Sequence, residues 1–223
     1  MKKMSISRAS HPATFRKCKN LGQLIASVEK QGEAEKLFVV KVFLNGKVMD
    51  EEEENLLDSL SVNEVQSLEF EMSSMQDIIS KSITDIIASI QTIQLNAIKF
   101  AKEFRQNESV DDEKVKFVLI QCRSTIEALE QIFVAHNRKS FHIKHLSLWH
   151  ESEKELTNIL QCILQSRKMS DVNFLSDLVE YDLVQALDQW EEVLEKELID
   201  NPSFTGIFKL KSRVQKSDNG VDA

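Results

Sequence analysis

The sequence predicts an α+β chain that is predominantly α: a small N-terminal α+β unit with a mixed sheet and two short helices, followed by an up-down four-helix bundle. Three observations lead there. Apolar residues recur at helical spacing over most of the chain beyond residue 74. Three stretches before residue 73 read as strands. Only five Gly and two Pro occur in 223 residues, which favours long helices joined by short loops. The expected divisions are 1–72 for the small unit, 73–205 for the bundle, and 206–223 for a basic C-terminal segment, either a tail or an added strand.

The organising element is the stretch from Ser74 to Arg105. Ile79, Ile83, Ile86, Ile90, Ile93, Ala97, Phe100 and Phe104 alternate at spacings of four and three, a heptad seam. Isoleucine at both seam positions favours more than two helices in the packing. Leu95 and Ile98 lie off the seam and are candidates for a surface that meets another protein or a second copy of the chain. No charge occurs from Ile86 to Ile98, yet that run is shorter than the ~20 residues a membrane span requires. Ser74 with Asp77 marks the helix start.

The remaining helices follow the same logic. Val115, Leu119, Cys122, Ile126, Leu129, Phe133 and His136 mark the second, and the short polar turn before it makes it antiparallel to the first. Trp149, Leu156, Leu160 and Ile163 mark a third. Leu183, Leu187, Trp190 and Leu194 mark a fourth, ending before Asp200-Asn201-Pro202.

In the N-terminal unit, Asn20 caps a helix whose apolar face is Leu21, Leu24, Ile25 and Val28, with Gly32 as its expected stop. His11-Pro12 reads as a helix interruption. Leu37–Leu44 is almost continuously apolar and is expected to be a buried central strand. Asn45-Gly46 then specifies a tight hairpin into Lys47–Met49. Asp50 and Glu53 fit a capping box for a second helix carrying Leu56, Leu57 and Leu60. Leu68, Phe70 and Met72 alternate with Glu69 and Glu71 as a half-buried strand. Residues 207–214 alternate apolar and basic, and could pair beside Leu68–Met72, bringing Lys209 and Lys211 against Glu69 and Glu71.

The formal net charge is −8, which disfavours nucleic acid as a bulk partner. Cys18, Cys122 and Cys162 form no zinc motif and no disulfide framework, and Cys122 and Cys162 are expected to be buried thiols in a reducing cytoplasm. Neither a P-loop nor a dinucleotide fingerprint occurs, and no nucleophile motif points to catalysis. No cofactor is expected.

One cluster stands out. His136, His142, His145 and His150 interleave with Arg138, Lys139 and Lys144, with no acid between Glu130 and Glu151. It is a candidate for an anion or a metal, against the plainer reading of a basic connection at a helix C-terminus, and its spacing fits no established metal site. The functional expectation is a non-enzymatic cytoplasmic protein that binds another protein, as an adaptor, chaperone-like or scaffold module, with homodimerisation possible. The alternative is an anion or nucleic-acid binder. It would use the basic arm (Lys2, Lys3, Arg8, Arg16, Lys17, Lys19), the His136–His150 connection and the basic C-terminal segment.

Overall fold

The computed structural model describes residues 2–7, 10, 12–49, 60–138, 140–167, 171–201 and 204. The chain divides into two compact units between Ile78 and Ile79. Each is a structure in its own right.

The first unit contains β1 (Lys2–Ser7), α1 (Pro12–Lys17), α2 (Leu21–Ala34), β2 (Leu37–Leu44), β3 (Lys47–Val48) and β4 (Ser67–Ser74), with a 3-10 turn at Val62–Glu64. Its four strands lie in the order β1-β4-β2-β3, antiparallel at every pairing rather than mixed. The charge pattern suits that order. Lys3 of β1 lies across from Glu71 of β4 and pairs with it at 3.3 Å, while Lys41 of β2 faces the same glutamate from the other side. Because β4 has β1 on one edge and β2 on the other, neither edge is left for residues 207–214 to join. The segment 206–223 lies outside the described residues, as does the helix expected after Asp50.

β4, not β2, is the buried strand: Leu68, Phe70 and Met72 are all at or below 2% exposure. The run Leu37–Leu44 is not wholly buried, because only one face of the strand packs on the core, and a bulge between Val39 and Lys41 shifts which residues face it. Side chains alternate across a sheet, and one extra residue inverts the alternation. Leu37 and Val39 therefore pack on the core before the bulge, and Val42 and Leu44 after it, while Phe38 and Val40 stay on the outside. The hairpin is a left-handed turn, with φ of 51° at Asn45 and 85° at Gly46. Asn45 Oδ1 also accepts from the backbone N–H of Gln66 and Ser67, which ties the turn to β4.

Two sequence signals carry a different meaning here. Pro12 is the first residue of α1 rather than an interruption, a position where its missing N–H costs nothing. Gly32 does not stop α2, which continues to Ala34; Lys36, at φ 57°, takes the left-handed position instead. A Cβ at Gly32 would collide with Met72 Cε and would lie 2.8 Å from the Leu37 carbonyl oxygen. Glycine is there so that the helix can approach the sheet.

The second unit is built from α3 (Met75–Asn107), of which the part from Ile79 belongs to it, α4 (Asp112–Asn137), α5 (Leu146–Ser166), α6 (Val172–Asp177) and α7 (Leu183–Asp200). A π-helical turn, Leu178–Asp182, joins α6 to α7, so that the two act as one helical arm. Polar and aromatic ties set the neighbours. Lys114 binds Glu103 at 2.6 Å and Phe117 meets Phe100 edge-on, joining α4 to α3. Arg167 binds Asp112 at 2.6 Å and His150 meets Phe133, joining α5 to α4. Gln94 donates to Asp188 and Gln91 to Glu191, both at 2.6 Å, joining α3 to α7. Trp149 and Trp190 join α5 to α7. In each pair the residue number rises on one helix as it falls on the other, the order of an up-down four-helix bundle.

The α3 seam is buried as spaced, except that Phe100 is half-buried and Ala101 takes the interior place. On α4 the buried stripe is Val115, Val118, Cys122, Thr125, Leu129 and Ile132. It departs at every second position from the seam read from sequence, so Leu119, Ile126, Phe133 and His136 are half-buried flanks. Thr125 is tolerated inside because its hydroxyl donates to the Gln121 carbonyl. At the far end of the arm, Arg105 binds Asp177 and Glu180 and lies over the Tyr181 ring, and the two carboxylates raise its pKa above the ordinary value. Cys162 is exposed, against expectation, because it falls on the outer face of α5; Cys122 is buried.

α5 begins without a side-chain cap from its own residues. Glu197 of α7 supplies one: it is fully buried and its Oε1 accepts from the His145 N–H at 2.6 Å. A carboxylate at a helix N-terminus is favoured by the exposed N–H groups and the helix dipole.

Gly32→Ala is expected to cost about 1–3 kcal/mol through overpacking of α2 on the sheet, read as a lower denaturation midpoint; an unchanged midpoint contradicts the close approach. Glu197→Ala is expected to cost about 1–3 kcal/mol and Glu197→Gln much less, since the amide oxygen can still accept from His145. Burial pushes the Cys122 thiol up to about 12, so at pH 8 a thiol reagent should label Cys162 rapidly in the folded protein and Cys122 only on unfolding.

Candidate functional site

Within the bundle, two features bear on function: the basic connection between α4 and α5, and a cleft between the same two helices.

The connection is used internally. Phe141 and Ile143 turn inward and are buried, and Phe141 stacks on Phe204 with ring centroids 5.6 Å apart. The N–H groups of Ser140 and Phe141 both donate to the Ala135 carbonyl, which closes the end of α4. His136 Nδ1 accepts from the Ile143 N–H at 3.1 Å, which places the proton of a neutral ring on Nε2. Lys144 donates to the Asp200 carbonyl, and His145 Nε2 lies 2.9 Å from Asp200 Oδ2. His150 faces Glu153 at 3.4 Å. His142 is exposed with its ring 5.3 Å from that of His136, and Arg138 is exposed; Lys139 lies outside the described residues. Of the residues singled out from sequence, Lys144, His145 and His150 thus meet carbonyl or carboxylate oxygens, while His136 accepts from a backbone N–H and stands beside His142. Among the described residues, no group of three or more His, Cys, Asp or Glu is placed to hold a metal ion.

Leu95 and Ile98 sit three residues apart on α3, on the side that also carries Gln91 and Gln94 toward α7. Leu95 is 71% exposed and Ile98 is half-buried. They mark one exposed leucine beside a polar seam, not a broad apolar face.

The cleft has a volume of about 400 Å³. Ile126, Leu129, Glu130, Phe133 and Val134 of α4 form one wall, Trp149, Glu153, Leu156 and Thr157 of α5 the other, and Trp190 of α7 contributes from behind. Each helix delivers these residues at three- and four-residue spacing, so the lining is a direct consequence of helical geometry. Trp149, Trp190, Leu129 and Leu156 are buried and make the base, while Ile126 and Phe133 are half-buried on the α4 side. Glu130, Val134, Glu153 and Thr157 are exposed at the rim.

The two indoles meet edge to face, 4.9 Å apart at 88°. The Trp190 Nε1–H is buried and has no acceptor among the described residues. A buried donor without a partner carries the cost of its lost hydration. Thr157 Oγ1 is satisfied by the Glu153 carbonyl. The lining therefore combines an apolar aromatic base with two rim carboxylates, and no Lys or Arg lines it. From sequence alone Trp149, Trp190 and Phe133 read as seam residues. Both tryptophans of the chain fall here, which was the available signal.

Among the described residues, no helix is long and apolar enough to cross a membrane. Residues 13–74 match the family model described as the TP0873 N-terminal domain. That match runs from α1 through β4 and ends where α3 begins, so the bundle and its cleft lie outside it. No curated protein and no solved structure matches the chain.

Proposed function

We propose that the protein works by non-covalent recognition of another protein, as an adaptor or scaffold, and that the cleft between α4 and α5 receives a segment of that partner. The observation that carries the reading is the aromatic base formed by Trp149 and Trp190 beneath an open rim. Tryptophan-lined depressions set in a rigid frame are where a few anchor side chains gain most of an interface's binding energy. The volume suits one anchor residue with its flanking backbone, and the up-down bundle holds both walls with little rearrangement. The acidic net charge and the carboxylates on the rim favour a partner surface that is not itself acidic.

The test is capture of partners from the native source at low salt with the full chain, beside a Val134→Arg/Thr157→Arg version that fills the rim. Both substituted residues are exposed, so the variant is expected to keep the native helical spectrum and melting temperature. A stoichiometric protein held by the native chain, cross-linked to α4 or α5 and lost in the variant, is the expected result. A partner held equally by both contradicts the assignment to the cleft. Loss of that partner in Leu95→Glu/Ile98→Glu alone would put the contact on α3 instead.

A further inference from the structure

The chemistry of the cleft specifies what enters it, and we infer that its occupant is a basic peptide segment: an arginine or lysine side chain of the partner lying among Phe133, Glu130 and Glu153. This rests on the protein-binding reading above and names its partner by chemistry.

Two features point the same way. First, the charged residues of the lining are all acidic. Among the described residues Glu130 has no ion-pair partner, while Glu153 faces only His150, at 3.4 Å, a contact that is ionic only when the imidazole is protonated. A guanidinium or ammonium entering the rim meets two carboxylates and no competing fixed cation. Second, the half-buried ring of Phe133 stands at the same rim, and aromatic faces attract cations while the base excludes water. The aliphatic stem of Arg or Lys can lie along Ile126, Leu129 and Leu156 with its charged head at the edge. Trp149 and Trp190 close the base beneath, so the charged head stays at the rim. An acidic segment would meet the two carboxylates with like charge, and an apolar one would leave them unpaired.

The chain offers a built-in reporter, since Trp149 and Trp190 are its only tryptophans and both line the cleft. The probes are three peptides, acetyl-Ala-Leu-X-Leu-Ala-amide with X arginine, norleucine or glutamate, titrated into the full chain and followed by tryptophan fluorescence and calorimetry. The arginine peptide is expected to bind with saturation and at least ~10-fold more tightly than norleucine, with glutamate weakest; one well-placed charge contact desolvated at an interface is worth that much. Glu130→Gln/Glu153→Gln should remove the preference for arginine over norleucine and leave norleucine binding unchanged. Both substitutions fall at exposed positions, so this variant is expected to keep the native fold. Equal binding of arginine and norleucine peptides overturns the inference and leaves the protein-binding reading standing. A fluorescence response to none of them, in a chain whose captured partner still cross-links to α4 or α5, overturns the inference alone. No response together with no partner at the cleft overturns both.

Discussion

The bundle depends on burial of the α3 seam on more than one side. Ile83, Ile90 and Ile93 are at or below 1% exposure, and Ala97 and Ala101 are fully buried beside them. Each large side chain removed from water in this way contributes about 1.5–3 kcal/mol. Isoleucine at successive seam positions cannot be covered by a single partner helix, so α4 and the α6–α7 arm both lie against α3. The small residues at 97 and 101 let neighbouring side chains come close where the larger Phe100 has been moved outward to meet Phe117. The polar ties then fix direction and register. Glu103–Lys114, Asp112–Arg167 and the Gln91 and Gln94 bonds to α7 cross the grooves at the bundle's edge, where they contribute little individually but discriminate against slipped alignments.

The same construction creates the cleft. α4 and α5 are joined by a connection whose apolar residues, Phe141 and Ile143, are drawn into the core, while Glu197 of α7 caps α5 from inside. The wall residues are then set by which turn of each helix faces the gap: Glu130, Phe133 and Val134 on α4, Trp149, Glu153 and Thr157 on α5. The connection closes the bundle end beside the cleft, with Lys144 and His145 on Asp200 and His150 on Glu153.

Much of the fold was legible because strong periodicity reports on burial. The heptads beginning at Ile79 and Leu183, the alternation at Leu68–Met72 and the Asn45-Gly46 turn have one physical solution each. The misreadings share a cause. A continuous apolar run such as Leu37–Leu44 does not say where a bulge will fall, and which of its residues face the core depends on the bulge at Val40. Gly32 looks like a stop because glycine ends many helices, yet here it serves a close approach visible only with Met72 and Leu37 in place. On α4 two candidate stripes differ by one residue at alternate positions, and only the neighbouring helices choose between them. The cleft was illegible for a stronger reason: its residues come from three helices, and each looks like ordinary seam or surface on its own helix.

The central claim, that the acid-rimmed cleft between α4 and α5 receives a basic segment, is tested most directly by the two indole N–H resonances of ¹⁵N-labelled protein, assigned with Trp149→Phe, since both tryptophans line the cleft. The account predicts that they shift with saturation as the arginine peptide is added, and much less in Glu130→Gln/Glu153→Gln. Indole resonances unmoved by the arginine peptide would contradict it.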